Sequence, residues 1–206
     1  MLRFSMLALG CILAVPLTAQ APQGWHERVD RSTNASDPDN TPDVKFVTMG
    51  PGFHVTTGPA VVLWKDANAV AGAYTLKGRF RLVKPSGHTN YYGLVFGGKD
   101  LATAAQTYMY FLVAQNGTFL VKHRAGDAET HDVVAKTPNA AIIKPDSTGS
   151  ATNMLEVRVT ADKVDYVVNG TVVHTMKKAD VVTDGTWGVR VNHVLEIHMD
   201  QLAASK

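Results

Sequence analysis

From Val44 onward the chain is a train of short runs in which hydrophobic residues recur at every second position, punctuated by Gly, Pro, Asn, Asp and Ser. Alternation at that period marks half-buried β-strands, because successive side chains point to opposite faces of a sheet. Such runs cover residues 44–49, 53–57, 60–65, 74–83, 91–98, 107–115, 118–124, 154–160, 163–169, 171–176, 186–191 and 195–203. No stretch keeps a helical period for three turns. Strands returning at this spacing, with turn residues between them, predict an all-β sandwich or barrel over 44–206.

Asn116-Gly117 and Asn169-Gly170 each separate two β-rich runs, the strongest short-range hairpin signal. A two-residue turn at Asn169-Gly170 sets Val168 opposite Thr171, Tyr166 opposite Val173 and Asp165 opposite His174. A preceding turn at Ala161-Asp162 sets Val157 opposite Tyr166 and Arg158 opposite Asp165. The same turn at Asn116-Gly117 puts Tyr110 opposite His123, with Tyr108 on their face, and leaves Lys122 and Arg124 with Met109 and Phe111 on the other. Which side is core stays open. Both turns and Asn34-Ala35-Ser36 also match the glycosylation sequon, although the turn alone explains the first two.

A three-residue loop after Val191 predicts a last hairpin in which Val189 faces Ile197, Trp187 faces Met199 and Arg190 faces Glu196. Glu196, His198 and Asp200 then line its polar side. This is what any half-buried antiparallel strand produces, and it is also how a polar binding surface would be arranged.

The first twenty residues change the picture of where the protein works. Arg3 precedes an apolar run from Phe4 to Val15, followed by Pro16 and small residues near Ala19, the layout of a secretory signal peptide. The expected product is secreted or periplasmic. The apolar run is shorter than the roughly 20 residues of a membrane-spanning helix, so no transmembrane anchor is expected. Cys11 is the single cysteine, and with most of the apolar run following it, lipoprotein anchoring through it is disfavoured. Residues 21–43, rich in Pro, Asn, Asp and Ser, read as a flexible linker or arm ahead of the domain. There Asp37, Asp39, Asn40 and Asp43 offer oxygens that calcium could use, but the Gly and Glu of an EF-hand loop are missing. No cofactor is otherwise indicated.

Twenty Lys+Arg against eighteen Asp+Glu leave a net charge of +2 with no basic stripe, which argues against a nucleic-acid partner. The eight histidines show no metal-binding spacing, so no metal site is assigned. Oligomeric state is not legible.

Residues 164–204 resemble the closing segment of the concanavalin A-like lectin/glucanase superfamily, and are most similar to secreted bacterial 3-keto-disaccharide hydrolase-like domains. Asn169 and Gly170 stand at the hairpin, Asp184 in the loop, and Gly185, Gly188 and Val189 in the Gly-x-x-Gly-[ILV] strand of that pattern. The resemblance implies a two-sheet antiparallel jelly roll whose concave sheet takes a carbohydrate. The Glu-x-Asp-x-x-Glu strand of the laminarinase-type members is absent around Glu129, Glu156 and Glu196, which argues against a retaining glycosidase. The leading expectation is an exported lectin-like module. An enzyme acting on 3-keto glycosides and a structural cell-surface sandwich remain alternatives. Because flat rings stack on sugars while polar neighbours fix the hydroxyls, the candidate ligand-binding residues are Tyr92, Tyr108, Tyr110, His123, Arg124 and His198. No catalytic set is assigned.

Overall fold

The computed structural model describes residues 22–206. The expected signal peptide and Cys11 lie outside the described residues. Fourteen strands form: β1 His26–Asp30, β2 Lys45–Met49, β3 Gly52–Thr56, β4 Ala60–Val70, β5 Tyr74–Lys84, β6 Tyr91–Lys99, β7 Thr107–Ala114, β8 Thr118–Ala125, β9 Glu129–Pro138, β10 Ala151–Val159, β11 Lys163–Val168, β12 Thr171–Lys177, β13 Gly185–Val191 and β14 Glu196–Ser205. They assemble into two seven-stranded sheets. The first runs β1-β4-β13-β6-β7-β8-β9 and the second β12-β11-β10-β5-β14-β3-β2. The fold is the expected antiparallel jelly-roll sandwich.

Alternation builds the core. Leu76, Phe80 and Leu82 of β5, Leu155 and Val157 of β10, and Ile197 and Met199 of β14 point inward from the second sheet. Leu63 of β4, Leu94 and Phe96 of β6, and Phe111 and Val113 of β7 meet them from the first. Phe111 packs on Phe119 of β8 at 6.1 Å and on Tyr166 of β11 at 5.2 Å between ring centroids. The first sheet has a second buried cluster on its outer face, including Val62, Trp64, Tyr91, Val95, Tyr108, Tyr110 and Leu112. Its central strands are therefore apolar on both sides.

Four expectations from the sequence need correction. Residues 21–43 are not a free linker throughout. His26–Asp30 pair with β4 along Val61–Trp64 and Ala60, and the Trp25 ring packs edge-on against Phe46 and Phe53 at 5.4 and 5.0 Å. The strand was hidden because it lies at a sheet edge and shows no clean alternation.

The turn at Asn116-Gly117 is longer by one residue than expected. Gly117 donates its N–H to the Ala114 carbonyl and takes φ +83°, so a type I turn is followed by a left-handed glycine. The slip pairs Tyr110 with Lys122 and Met109 with His123. A one-residue slip exchanges the faces, so Lys122 and Arg124 join the tyrosines and His123 leaves them.

The turn at Asn169-Gly170 has two residues as expected, with φ of +50° and +82°, and Val168 faces Thr171. A bulge beyond it pairs Tyr166 with His174 and Asp165 with Thr175. On the other flank Val157 faces Tyr166 and Arg158 faces Asp165, as read from the sequence.

The largest correction concerns the last two strands, which are not a hairpin. β13 lies between β4 and β6 in the first sheet, and β14 between β5 and β3 in the second. The connection crosses the end of the sandwich and is held by the buried Thr57, whose hydroxyl donates to the Asn192 carbonyl at 2.7 Å and accepts from the Leu195 N–H at 2.9 Å. Both arrangements bury the same apolar set, so alternation alone could not separate them. Arg190 and Glu196 consequently lie on different sheets.

Candidate functional site

The outer face of the first sheet is built in rows across the strands. One row runs His26, Trp64, Gly188, Val95, Tyr110, Lys122 and Asp132, and the next runs Arg28, Val62, Arg190, Gly93, Leu112 and Leu120. The two glycines allow close packing, since an added Cβ would collide with the Phe111 carbonyl at Gly93 and the Leu63 carbonyl at Gly188, and the Arg190 guanidinium lies above the Tyr110 ring at 5.6 Å. Arg190 Nη1 donates to Asp30 Oδ2 at 2.7 Å and to the Tyr108 hydroxyl at 2.9 Å, while Nε donates to Asn192 Oδ1 at 3.0 Å. Burial opposes its charge, but Tyr108 and Asp30 outweigh that and hold its pKa above the ordinary value. A buried guanidinium is tolerated when its donors are matched in this way.

This face is the hollow one. Arg28 of β1 forms a two-pronged pair with Asp127, in the turn after β8, at 2.8 and 2.7 Å. Five strand spacings of about 4.8 Å separate β1 from β8 in the sheet, so the pair closes only because sheet and turn bend over the outer face. The loop after β6 joins this roof: Ala102 accepts from Arg28, Asp127 N–H donates to the Ala104 carbonyl, and Gln106 donates to Asp127 at 2.6 Å. The Gln106 hydrogen bond first, and Arg28 after it, hold the Asp127 carboxyl below its usual range.

At the mouth beside this roof is a pocket of about 380 Å3, lined among others by His26, Trp64, Asp66, Asp100, Thr103 and Thr186. His26 stacks on Trp64 at 5.5 Å and 27° between planes, and its Nε2 lies 3.0 Å from Asp66 Oδ2. The half-exposed His26 ring, backed by the buried Trp64, therefore lies beside carboxylates and hydroxyls.

The candidate residues fall in four places. Tyr108 and Tyr110 do share the hollow face, but at 1% and 7% exposure they form a supporting floor for Arg190 rather than an open platform. Arg124 joins them at the rim, its Nη1 3.4 Å from the Thr130 hydroxyl. Tyr92 points into the core against Phe80, and burial pushes its hydroxyl up to about 12. His123 sits on the opposite face of β8, stacked on His131 of β9 at 5.9 Å, with its pKa lowered by burial and then by His131. His198 lies on the outer face of the second sheet, beside His54 at 6.4 Å.

Sequence reading missed Asp30, His26 and Asp66 and misplaced Arg190. One signal was available: Arg190 is a lone charge between Val189 and Val191, and a buried charge needs a partner. The acidic stretch is engaged locally. Asp37 accepts the Asp39 N–H, Asn40 ties Ser32 and Asn34, and Asp43 takes Arg31. Among the described residues no group of three or more His, Cys, Asp or Glu side chains converges, and no helix is long and apolar enough to cross a membrane.

No family model and no curated protein matches the chain. Solved structures do. A carbohydrate-binding module, CBM66 from Bacillus subtilis, superposes with a TM-score of 0.63 at 11% identity, over 89% of this chain and 96% of its own. A Bacillus subtilis protein of unknown function with a galectin-like fold gives 0.57 at 12% identity, over 91% and 96%. A Bacteroides ovatus GH16 protein of a mixed-linkage glucan locus, solved with its G4G4G3G product, gives 0.55 at 8% identity, over 88% and 94%. At such identities the likeness is one of fold: a two-sheet antiparallel jelly-roll sandwich.

Proposed function

We propose that the protein is an exported carbohydrate-binding domain that holds a glycan at the mouth of its hollow sheet. The observation that carries this reading is the pocket in which the His26–Trp64 stack faces Asp66, Asp100, Thr103 and Thr186. Trp64 is itself 5% exposed and backs the half-exposed His26 ring, so it is the His26 face that a pyranose would meet, while carboxylates and hydroxyls accept from and donate to sugar hydroxyls. Behind it, Trp64 belongs to the same buried cluster as Tyr108 and Tyr110, on which Arg190 and Asp30 are anchored.

A glycan array on the chain from Ala21, followed by calorimetry on the best ligand with calcium and with chelator, tests this. Asp66 is 81% exposed at its side chain, so Asp66→Asn leaves folding intact. The expected result is a roughly tenfold loss of affinity, the size of one charge-assisted hydrogen bond. Binding that survives Asp66→Asn and Trp64→Phe unchanged, or no glycan bound at all, overturns the reading. Loss with chelator adds calcium to the site.

The His26–Asp66 pair supports a second reading, chemistry on 3-keto glycosides, in line with the resemblance of the closing segment. A histidine held by a carboxylate can abstract a proton from carbon beside a ketone, after which the aglycone leaves by elimination. Turnover of a 3-keto glucoside that vanishes in His26→Ala, while binding persists, identifies the enzyme.

A further inference from the structure

The outer face of the second sheet carries a groove that the glycan reading leaves unused. It measures about 420 Å3 and is lined by Pro51, Arg79, Arg81, Thr152, His198 and Asp200. Register explains why these side chains meet. Arg81 of β5 stands opposite His198 of β14 on one side and Thr152 of β10 on the other. Arg79 stands opposite Asp200, and His54 of β3 opposite His198.

Charges in the groove do not cancel. Arg79 Nε and Nη2 donate to the two oxygens of Asp200 at 2.7 and 2.6 Å, and His54 Nε2 meets Glu196 at 3.1 Å. Those pairs are satisfied. Arg81 keeps free donors: among the described residues its hydrogen-bond partner is the Ser150 hydroxyl at 3.2 Å, and the carboxylate whose charge it feels, Asp146, makes no hydrogen bond or ion pair with it. His198 also has unused capacity: among the described residues its ring makes no hydrogen bond, and since Nδ1 is the shielded nitrogen, Nε2 is the one a ligand can reach.

We propose that this groove binds an oxyanion-bearing ligand, the carboxylate of a uronate or the sulfate ester of a sugar, anchored by Arg81 with His198 as second donor. The planar fork of a guanidinium matches two oxygens of such a group, which a neutral hydroxyl cannot exploit to the same extent. Thr152 adds a hydroxyl, and Pro51 an apolar wall for the ring. The volume lies within the roughly 300–1,000 Å3 of small-molecule sites. The groove is on the opposite sheet from the Trp64 pocket, so the two sites stand or fall separately.

Proton uptake accompanies binding. Burial lowers the His198 pKa, Asp200 raises it, and His54, Arg79 and Arg81 lower it. The facing groups are thus Asp200 and Glu196 on its own strand, His54 on β3, and Arg79 and Arg81 on β5. A bound anion favours the imidazolium, so affinity rises as pH falls through the pKa of His198 in the complex.

The test is a titration of the 15N-labelled chain from Ala21 with sodium galacturonate, galactose 6-sulfate, sodium sulfate and galactose, at pH 8 and pH 6. All three anions are expected to shift the amides of Arg81, Thr152 and His198, more tightly at pH 6, and galactose to leave them still. Arg81→Gln, exposed and outside the core, weakens galacturonate roughly tenfold, His198→Asn removes the pH dependence, and Asp66→Asn changes neither. Absence of anion shifts, the same shifts with galactose, or an Arg81→Gln protein that binds as tightly as wild type overturns the proposal.

Discussion

Arg190 is 8% exposed, between Val189 and Val191, and its guanidinium meets Asp30, Asn192, Tyr108 and Tyr110. Removing one partner of such a pair strands the other charge in a dry setting, which costs more than the pair itself contributes. Arg190→Met is therefore expected to lower unfolding free energy by about 3 kcal/mol, measured as a shift of the urea midpoint. Arg190→Met combined with Asp30→Asn should recover part of that loss. A double variant no more stable than the single one refutes the coupling. Part of this site was legible at the residue level, since Tyr108 and Tyr110 were placed together. Their partners were not, because Asp30 lies about 160 positions away and no local pattern reports a contact of that range.

At the scale of elements, all twelve alternating runs proved to be strands, and two strands had no readable pattern. Those are β1 and β9, the two edges of the first sheet. An edge strand buries little on either face, and β9 is exposed or half-exposed at every position, so the alternation that betrays a strand is never written into it. Turn geometry was also only half legible. Asn169 takes positive φ while its side chain donates to Ala141 and Asn153 and accepts from Met154 N–H. Asn116 instead accepts from the N–H and hydroxyl of Thr118, which favours the right-handed turn. The same dipeptide gives two registers because its surroundings differ. Glycines illustrate the same dependence. At Gly170 an added Cβ meets nothing, so Gly170→Ala pays only for the left-handed backbone, about 1 kcal/mol. At Gly188 it would collide with the Leu63 carbonyl and press on Trp64 Cβ at 3.1 Å, forcing β13 from β4. Gly188→Ala is expected to cost several times more, and equal thermal shifts for the two variants would disprove that packing.

For the whole molecule, alternation predicts a domain beginning near Val44, and the structure adds Trp25 and the strand His26–Asp30 to its packing. Deleting 22–43 removes the Trp25 contacts, the Arg28–Asp127 tie and the Asp30 partner of Arg190, and bares the edge of β4. The truncated chain should aggregate or melt well below the intact one in a thermal scan; an unchanged melting temperature would restore the linker reading. Acid response is a property of the same assembly. His123, His193 and His198 all have pKa values lowered from their ordinary range, in each case by burial first. The folded state then binds fewer protons than the unfolded chain, whose histidines titrate near 6.5, so stability is full above that pH and is lost as pH falls through it. Asp127, Asp165 and Asp200 are depressed carboxylates, and their contribution is lost only at lower pH, as they too protonate. Melting temperature should therefore decline in two stages, first across the histidine range and then across the carboxylate range. His193→Asn and His198→Asn should each flatten the first stage while leaving the second in place. A melting temperature that stays level or rises between pH 8 and pH 5.5 would show that these rings are not held neutral by the fold.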